Sequence, residues 1–272
     1  MLYLYGLGIG LRSILKGRLD RENIKNLVVP VNYWRTLEFR LAHAALQITR
    51  ADRVLDIGSP KLFSLYLSDR IGAEVFSTDI DEYFVKSYSA YRELKGIDER
   101  RFHVMAIDGR DLPFDEGYFT KIFSISVLEH IPDDGDATCA SEIGRSLARG
   151  GICVITVPFS PTGAVEYKFP RQFYWASKVQ EKINEGKVFY QRRYSEKDLY
   201  ERIVGPSSLT VEKILYMGER FALSRRKELS EYFHPLLGPL HPALSYLFHS
   251  APMPSWRGMR RPLGALLVLR KA

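Results

Sequence analysis

Cysteine is scarce in this chain. Only Cys139 and Cys153 are present, each in an apolar or helical-looking stretch without metal-ligand neighbours. A disulfide framework is therefore excluded, and reduced thiols in a cytoplasmic protein are the expected state. Long apolar runs are also missing. No stretch reaches the roughly 18 uninterrupted apolar residues of a membrane span. Met1 to Leu15 is apolar and glycine-rich, but it has neither an early basic region nor a small-x-small cleavage site, so a signal peptide is not expected. Internal repeats and low-complexity tracts are absent, which excludes solenoid and disordered classes.

What is present is an ordinary globular composition. Over 272 residues, 46% are hydrophobic and 26% charged, enough for one large domain or one domain with a small cap. The formal charge of +7 favours anionic partners such as phosphorylated substrates, acidic glycans, a membrane surface or nucleic acid, without choosing among them.

From about residue 51 to 160, short apolar runs alternate with helical patterns. Strands are expected at 53–57, 73–78, 102–107, 121–126 and 152–157. Helices are expected at 61–70, 81–94 and 134–148, the last stopped by Gly150 and Gly151. Such alternation implies βαβ units and a parallel sheet covered on both faces. Before this core, apolar residues at 34, 37, 41 and 45 predict an amphipathic helix over 33–47. After it, Ser195 predicts a helix cap, and strands follow at 209–217 and 264–269. The segment 159–193 is rich in aromatics and charges and shows no clear period, and 220–262, with prolines at 235, 239, 242, 252 and 254, reads as a long functional loop or cap.

Candidate ligand-binding residues fall at the carboxyl ends of successive strands, the edge where open α/β sheets bind ligands. The first strand ends in Asp56, and Gly58 lets the backbone turn and approach a ligand. The helix that follows offers its N-terminus to an anion. Asp79 ends the second strand, where a carboxylate can accept both hydroxyls of a ribose; Asp81 beside it reads as a helix cap. Asp108, followed by Gly109, ends the third strand, where a carboxylate can accept an exocyclic amine of adenine. The glycines at 6, 8 and 10 mimic a dinucleotide loop, but Leu11 stands where its third glycine belongs, and no acidic residue closes a βαβ unit.

The segments VLDIGS, STDID, AIDGRDLPF, SVLEHI and EIGRSLARGGICVITVP, in this order and spacing, resemble the class I methyltransferases, especially the small-molecule UbiE/UbiG-like group. The resemblance covers roughly residues 50 to 160. It implies a Rossmann-like seven-stranded α/β sheet of order 3-2-1-4-5-7-6 with strand 7 antiparallel. It also implies S-adenosylmethionine as methyl donor and S-adenosylhomocysteine as product. On this reading Asp56, Gly58, Ser59, Pro60, Asp79, Ile80, Asp108, Gly109, Ser124 and Ile125 line the cofactor. His130 is then either a general base toward the acceptor or a structural residue. One departure stands out: Pro60 replaces a usual glycine and has no N–H to offer. Ser59 and Lys61 can compensate, with a hydroxyl and an ammonium near the methionine carboxylate.

The expected organisation is a helical lid over residues 1–50 and a methyltransferase domain over 51–272, with lid-like insertions at 159–193 and 220–262. The acceptor is a small molecule, lipid or glycan, and nucleic acid is disfavoured. Tyr232 to His249 reads as a pocket wall or as a surface for peripheral membrane contact. Arg192, Arg193 and Tyr194 are either an anion site or a solvated surface. So is the cluster of Trp256, Arg257, Arg260 and Arg261. Two other functions stay open: a binding protein that keeps the fold without catalysis, and a nucleotide-dependent oxidoreductase or epimerase.

Overall fold

Apolar runs bounded by turn residues become the strands of one sheet. The computed structural model describes residues 1–18, 21–169, 186–221 and 238–272. The sheet is built from β1 (Arg53–Ile57), β2 (Glu74–Asp79), β3 (Phe102–Ala106), β4 (Phe119–Ile125), β5 (Leu147–Pro158), β8 (Thr210–Gly218) and β9 (Pro262–Arg270). Its order is β3-β2-β1-β4-β5-β9-β8, with β9 antiparallel to both β5 and β8. This is the expected class I arrangement. Two further strands, β6 (Ala164–Lys168) and β7 (Val188–Arg193), pair separately as an antiparallel hairpin. The hairpin lies inside the segment whose sequence shows no period.

Helices cover both faces, as parallel strands buried on both sides require. One face packs against α1 (Leu2–Leu15), α3 (Tyr33–Leu46), α4 (Leu62–Tyr66) and α5 (Glu82–Lys95), through Ile9, Leu37, Phe63 and Tyr88. The other packs against α6 (Gly135–Ser146) and the helical run from α7 (Glu196–Asp198) to α8 (Gly205–Ser207), through Ile143, Leu199 and Ile203. Ser195 caps this run as expected, in a reciprocal capping box with Asp198. Helix α2 (Arg21–Val28) packs on α1, and α9 (His241–Phe248) packs on α3.

Two local readings differ from expectation. Gly150 and Gly151 do not stop a helix. Helix α6 ends at Ser146 and both glycines lie within β5. A Cβ on Gly151 would stand 2.9 Å from the Thr120 carbonyl oxygen, so close strand approach is what selects glycine there. The glycines of the N-terminal pseudo-motif are helical. A Cβ on Gly6 would meet Pro30 Cβ at 2.3 Å, and one on Gly10 would meet the backbone of Leu27 at 2.9 Å. Gly6 and Gly10 serve helix packing, not a nucleotide loop.

Of the N-terminal helices, α3 reaches the carboxyl edge of the sheet, while α1 lies against α4 and α5. Hairpin strand β7 packs on the turn at 128–130. Residues 170–185 and 222–237, including Tyr232, Phe233, Leu236 and Leu237 of the expected pocket wall, lie outside the described residues.

Candidate active site

The turn after β1 is organised by Asp56. This carboxylate is fully buried and accepts the Ser59 N–H at 3.0 Å, the Ser77 hydroxyl at 3.0 Å and the Ser64 hydroxyl. Gly58 adopts φ +64° and donates its N–H to the Thr78 carbonyl at 3.0 Å. Only glycine fits, because a Cβ would also stand 2.6 Å from Val127 Cγ1. Ser59 accepts the Ile125 N–H at 2.8 Å, and Ser124 donates to the Ile57 carbonyl at 3.1 Å. Asp56, Gly58, Ser59, Ser124 and Ile125 thus form one hydrogen-bonded unit joining β1 to β4.

Proline at position 60 does not break this turn. It stands just ahead of α4, where a missing N–H costs nothing, and its carbonyl accepts the Phe63 N–H at 3.3 Å. Lys61 departs from expectation. Its side chain is 2% exposed, and Nζ donates to the Thr78 carbonyl at 2.5 Å while lying 3.3 Å from Asp79 and 3.6 Å from Asp56. The ammonium is committed to two carboxylates of the sheet, not held out toward a ligand carboxylate. A buried ammonium must be paired, and these two carboxylates and the carbonyl supply the pairing.

Asp79 ends β2 as expected and accepts the Asp81 N–H at 3.0 Å. Burial raises its carboxyl above the ordinary range, against the opposing pull of Lys61. Asp81 caps α5 by accepting the Tyr83 N–H. Ile80 between them is half exposed. Asp108 is held below the usual carboxylate range by Arg110, whose Nη2 approaches to 2.6 Å and whose N–H donates at 2.9 Å. A Cβ on Gly109 would lie 2.9 Å from Ile57 Cγ2 and 3.0 Å from Cys139 Sγ, so this turn too needs glycine.

Beyond β4 the chain turns through Ser126, at φ +52°. Its hydroxyl and that of Thr156 each donate to Glu38 at 2.8 Å, and Arg35 donates to the same carboxylate at 2.6 Å. Helix α3 is thereby fastened over the carboxyl edge. His130 lies in the next turn, with Nδ1 2.7 Å from the Tyr190 carbonyl. A carbonyl only accepts, so Nδ1 carries the proton. Burial lowers the ring to about 4, leaving neutral imidazole with Nε2 3.8 Å from Glu129. Glu129 is 1% exposed, and burial pushes its carboxyl up to about 8. Glu38 and Glu129 were not among the sequence candidates. The available signal for Glu38 was an acid flanked by Leu37 and Phe39 on an apolar helix; for Glu129 it was an acid between Leu128 and a histidine.

The expected choice for Arg192, Arg193 and Tyr194 was between an anion site and a solvated surface. The structure gives Arg192 and Tyr194 a different task and leaves Arg193 partly exposed. Arg192 and the Tyr194 hydroxyl reach the buried carboxylate of Asp136 at 3.3 and 2.8 Å, together with Arg202 at 2.7 Å. Arg193 pairs with Glu166. Trp256 donates its indole N–H to Glu196 at 3.1 Å, with Arg257 over its ring.

Residues 55–155 match the family model described as a methyltransferase domain. No curated protein matches the chain. Solved structures share its fold at low identity. Geranyl diphosphate C-methyltransferase from Streptomyces coelicolor A3(2), solved with geranyl diphosphate and S-adenosylhomocysteine, is 15% identical, with a TM-score of 0.57 over 93% of this chain and 86% of that one. A Burkholderia thailandensis 1,6-didemethyltoxoflavin N1-methyltransferase is 16% identical, with a TM-score of 0.54 over 97% and 88%. The [4+2]-cyclase SpnF is 18% identical, with a TM-score of 0.54 over 88% and 83%. The sheet order is that of the class I methyltransferase fold, and residues 55–155 carry the matched S-adenosylmethionine-dependent methyltransferase domain. Its fold is the Rossmann-like fold of these enzymes.

Proposed function

We propose that this chain transfers the methyl group of S-adenosylmethionine to a small-molecule acceptor, by in-line displacement at the carboxyl edge of the sheet. The observation that carries the reading is Asp79. It is a carboxylate at the end of β2, beside a turn that only glycine can make at position 58 and held in place by Lys61. The residues present fit the cofactor. Asp79 would accept the ribose hydroxyls, and the exposed side chain of Ile80 would lie against the adenine. Asp108 would take the adenine amine with its remaining lone pairs, and Gly109 would allow close approach. Gly58, Ser59 and Pro60 would shape the methionine end. Asp56 acts through the turn that it holds. Ser124 and Ile125 act likewise, by tying that turn to β4.

When bound, the cofactor supplies a sulfonium electrophile, and the protein's contribution is alignment of the acceptor. His130 would stand at the acceptor side as a neutral imidazole, a form suited to receive a proton. The small-molecule acceptors named for two fold relatives support this acceptor class. A second reading, a protein that keeps the fold without methyl transfer, draws on Pro60 and on the inward Lys61.

Calorimetric titration with S-adenosylmethionine and S-adenosylhomocysteine, with NAD as control, tests the proposal. Both sulfur ligands should bind and NAD should not. Asp79→Ala should weaken both by at least about tenfold, the loss of one charge-assisted contact. Affinity unchanged in that variant would refute the ribose assignment. Absence of binding to wild-type protein would favour the second reading.

A further inference from the structure

Glu129 is a buried acid that makes no ion pair with a lysine or arginine among the described residues. It follows β4 by four residues, in the turn whose Val127 side chain packs on Gly58. It is thus built into the same edge as the cofactor turn. Its Oε2 is buried and has no hydrogen-bond partner among the described residues. Its Oε1 lies 3.8 Å from His130 Nε2, and the carboxyl accepts its own backbone N–H. The other groups that face it are Arg35 and Glu38 from α3, Tyr190 from β7 and Tyr194 just beyond β7. The one cation among these, Arg35, donates at 2.6 Å to Glu38. Buried carboxyl groups are normally paired or bonded, and an orphan at a ligand-binding edge needs a reason.

Resting on the methyltransferase reading, we infer that Glu129 exchanges a proton with the reaction. It gives the proton up when a cationic donor enters the site and regains it from the acceptor as the methyl group is transferred. The balance closes. A lone pair on the acceptor X–H forms the X–CH3 bond, and the C–S bond breaks with its electron pair left on sulfur. The acceptor proton ends on Glu129 Oε2, directly or through His130 Nε2. Sulfonium paired with carboxylate becomes thioether beside carboxylic acid, so the site carries the same net charge before and after transfer. The neutral product no longer needs the carboxylate, which favours its replacement by fresh donor. The acceptor class is then one with a proton to lose, a hydroxyl or an N–H.

The test is proton counting by calorimetry at pH 7 in buffers of different ionisation enthalpy, with S-adenosylmethionine and S-adenosylhomocysteine as probes. An acid that titrates near about 8 is protonated at pH 7, so wild-type protein should release close to one proton more with the first probe than with the second. Glu129→Gln, an isosteric mimic of the protonated acid, should bind both and lose that difference. In infrared difference spectra of wild-type protein, S-adenosylmethionine should remove a protonated-carboxyl carbonyl band that S-adenosylhomocysteine leaves in place. An equal proton count in wild type and variant, or no such band, overturns the role of Glu129 while leaving the methyltransferase reading intact. Failure of both probes to bind wild-type protein overturns the two together.

Discussion

Replacing Lys61 by methionine keeps the length of the side chain and removes its charge. In the intact protein the ammonium is 2% exposed, between Asp79 at 3.3 Å and the fully buried Asp56 at 3.6 Å. At an effective dielectric constant of about 20, unit charges about 3.5 Å apart attract by about 5 kcal/mol. Desolvation offsets much of that gain in the native protein, but the variant leaves two buried carboxyl groups without their cation. Removing one member of a buried pair typically costs about 3–5 kcal/mol. The Thr78 carbonyl also loses its ammonium donor. We therefore expect Lys61→Met to lose about 3–5 kcal/mol in urea unfolding, with Tm lower by about 10 °C. A second consequence is specific to the site. Burial already raises the Asp79 carboxyl against the pull of Lys61; without that pull it rises further. Binding of S-adenosylhomocysteine that depends on ionised Asp79 should then weaken at neutral pH and recover toward alkaline pH. Lys61→Arg should keep the affinity better than Lys61→Met. A stability loss below about 1 kcal/mol, with an unshifted binding profile, would refute the pairing argument.

Two further predictions follow from the other buried groups. Asp136→Ala strands Arg192, Arg202 and the Tyr194 hydroxyl, and should cost about 3–5 kcal/mol in urea unfolding; a loss under about 1 kcal/mol would show that water takes over the task. His130, held to about 4 by burial, should show no ring titration between pH 5 and 8 by NMR, whereas an ordinary histidine titrates near about 6.5. Because the folded value is depressed, the unfolded chain binds the proton first. The contribution of His130 to stability should therefore be complete above about pH 6.5 and decline as pH falls toward 4. His130→Gln should remove that decline.

The parts of this fold that could be read from sequence are those whose cause is local. Asp79 ends β2 because an apolar run meets an acid and a helix cap, and Asp81 announces that cap. Strands β1 to β5 show as short apolar runs because both faces of a parallel sheet are buried. Helix α1 was hidden, since apolar residues and glycines occupy most of its turns and leave little contrast between faces. Hairpin strands β6 and β7 were hidden for a related reason. The hairpin is half exposed, and its alternation is blurred by a register shift between Glu166 and Tyr167. Charge pairing was the least legible. Asp136 meets Arg192 across 56 residues and Arg202 across 66, and Glu38 meets Thr156 across 118. Nothing in a local window distinguishes such side chains from solvated ones.

These pairings bear on what the carboxyl edge can accept. In formal charge, Lys61 can balance only one of the two carboxyl groups that it touches, and Arg35 is matched by Glu38, as Arg110 is by Asp108. The named groups therefore leave one carboxylate in excess before Glu129 is counted, and no exposed arginine among them is free to attract an anion. Arg192, the residue that sequence most readily suggested for that purpose, is spent on Asp136. An edge of this kind repels a phosphate and attracts a cation, and in buried surroundings the preference is stronger than the same charges would give in water. The named groups of this edge thus carry no share of the chain's basic surplus, +7 overall. The charge that selects ligands here is opposite in sign to the charge of the whole protein. A net positive sulfonium donor suits such an edge better than a dinucleotide does.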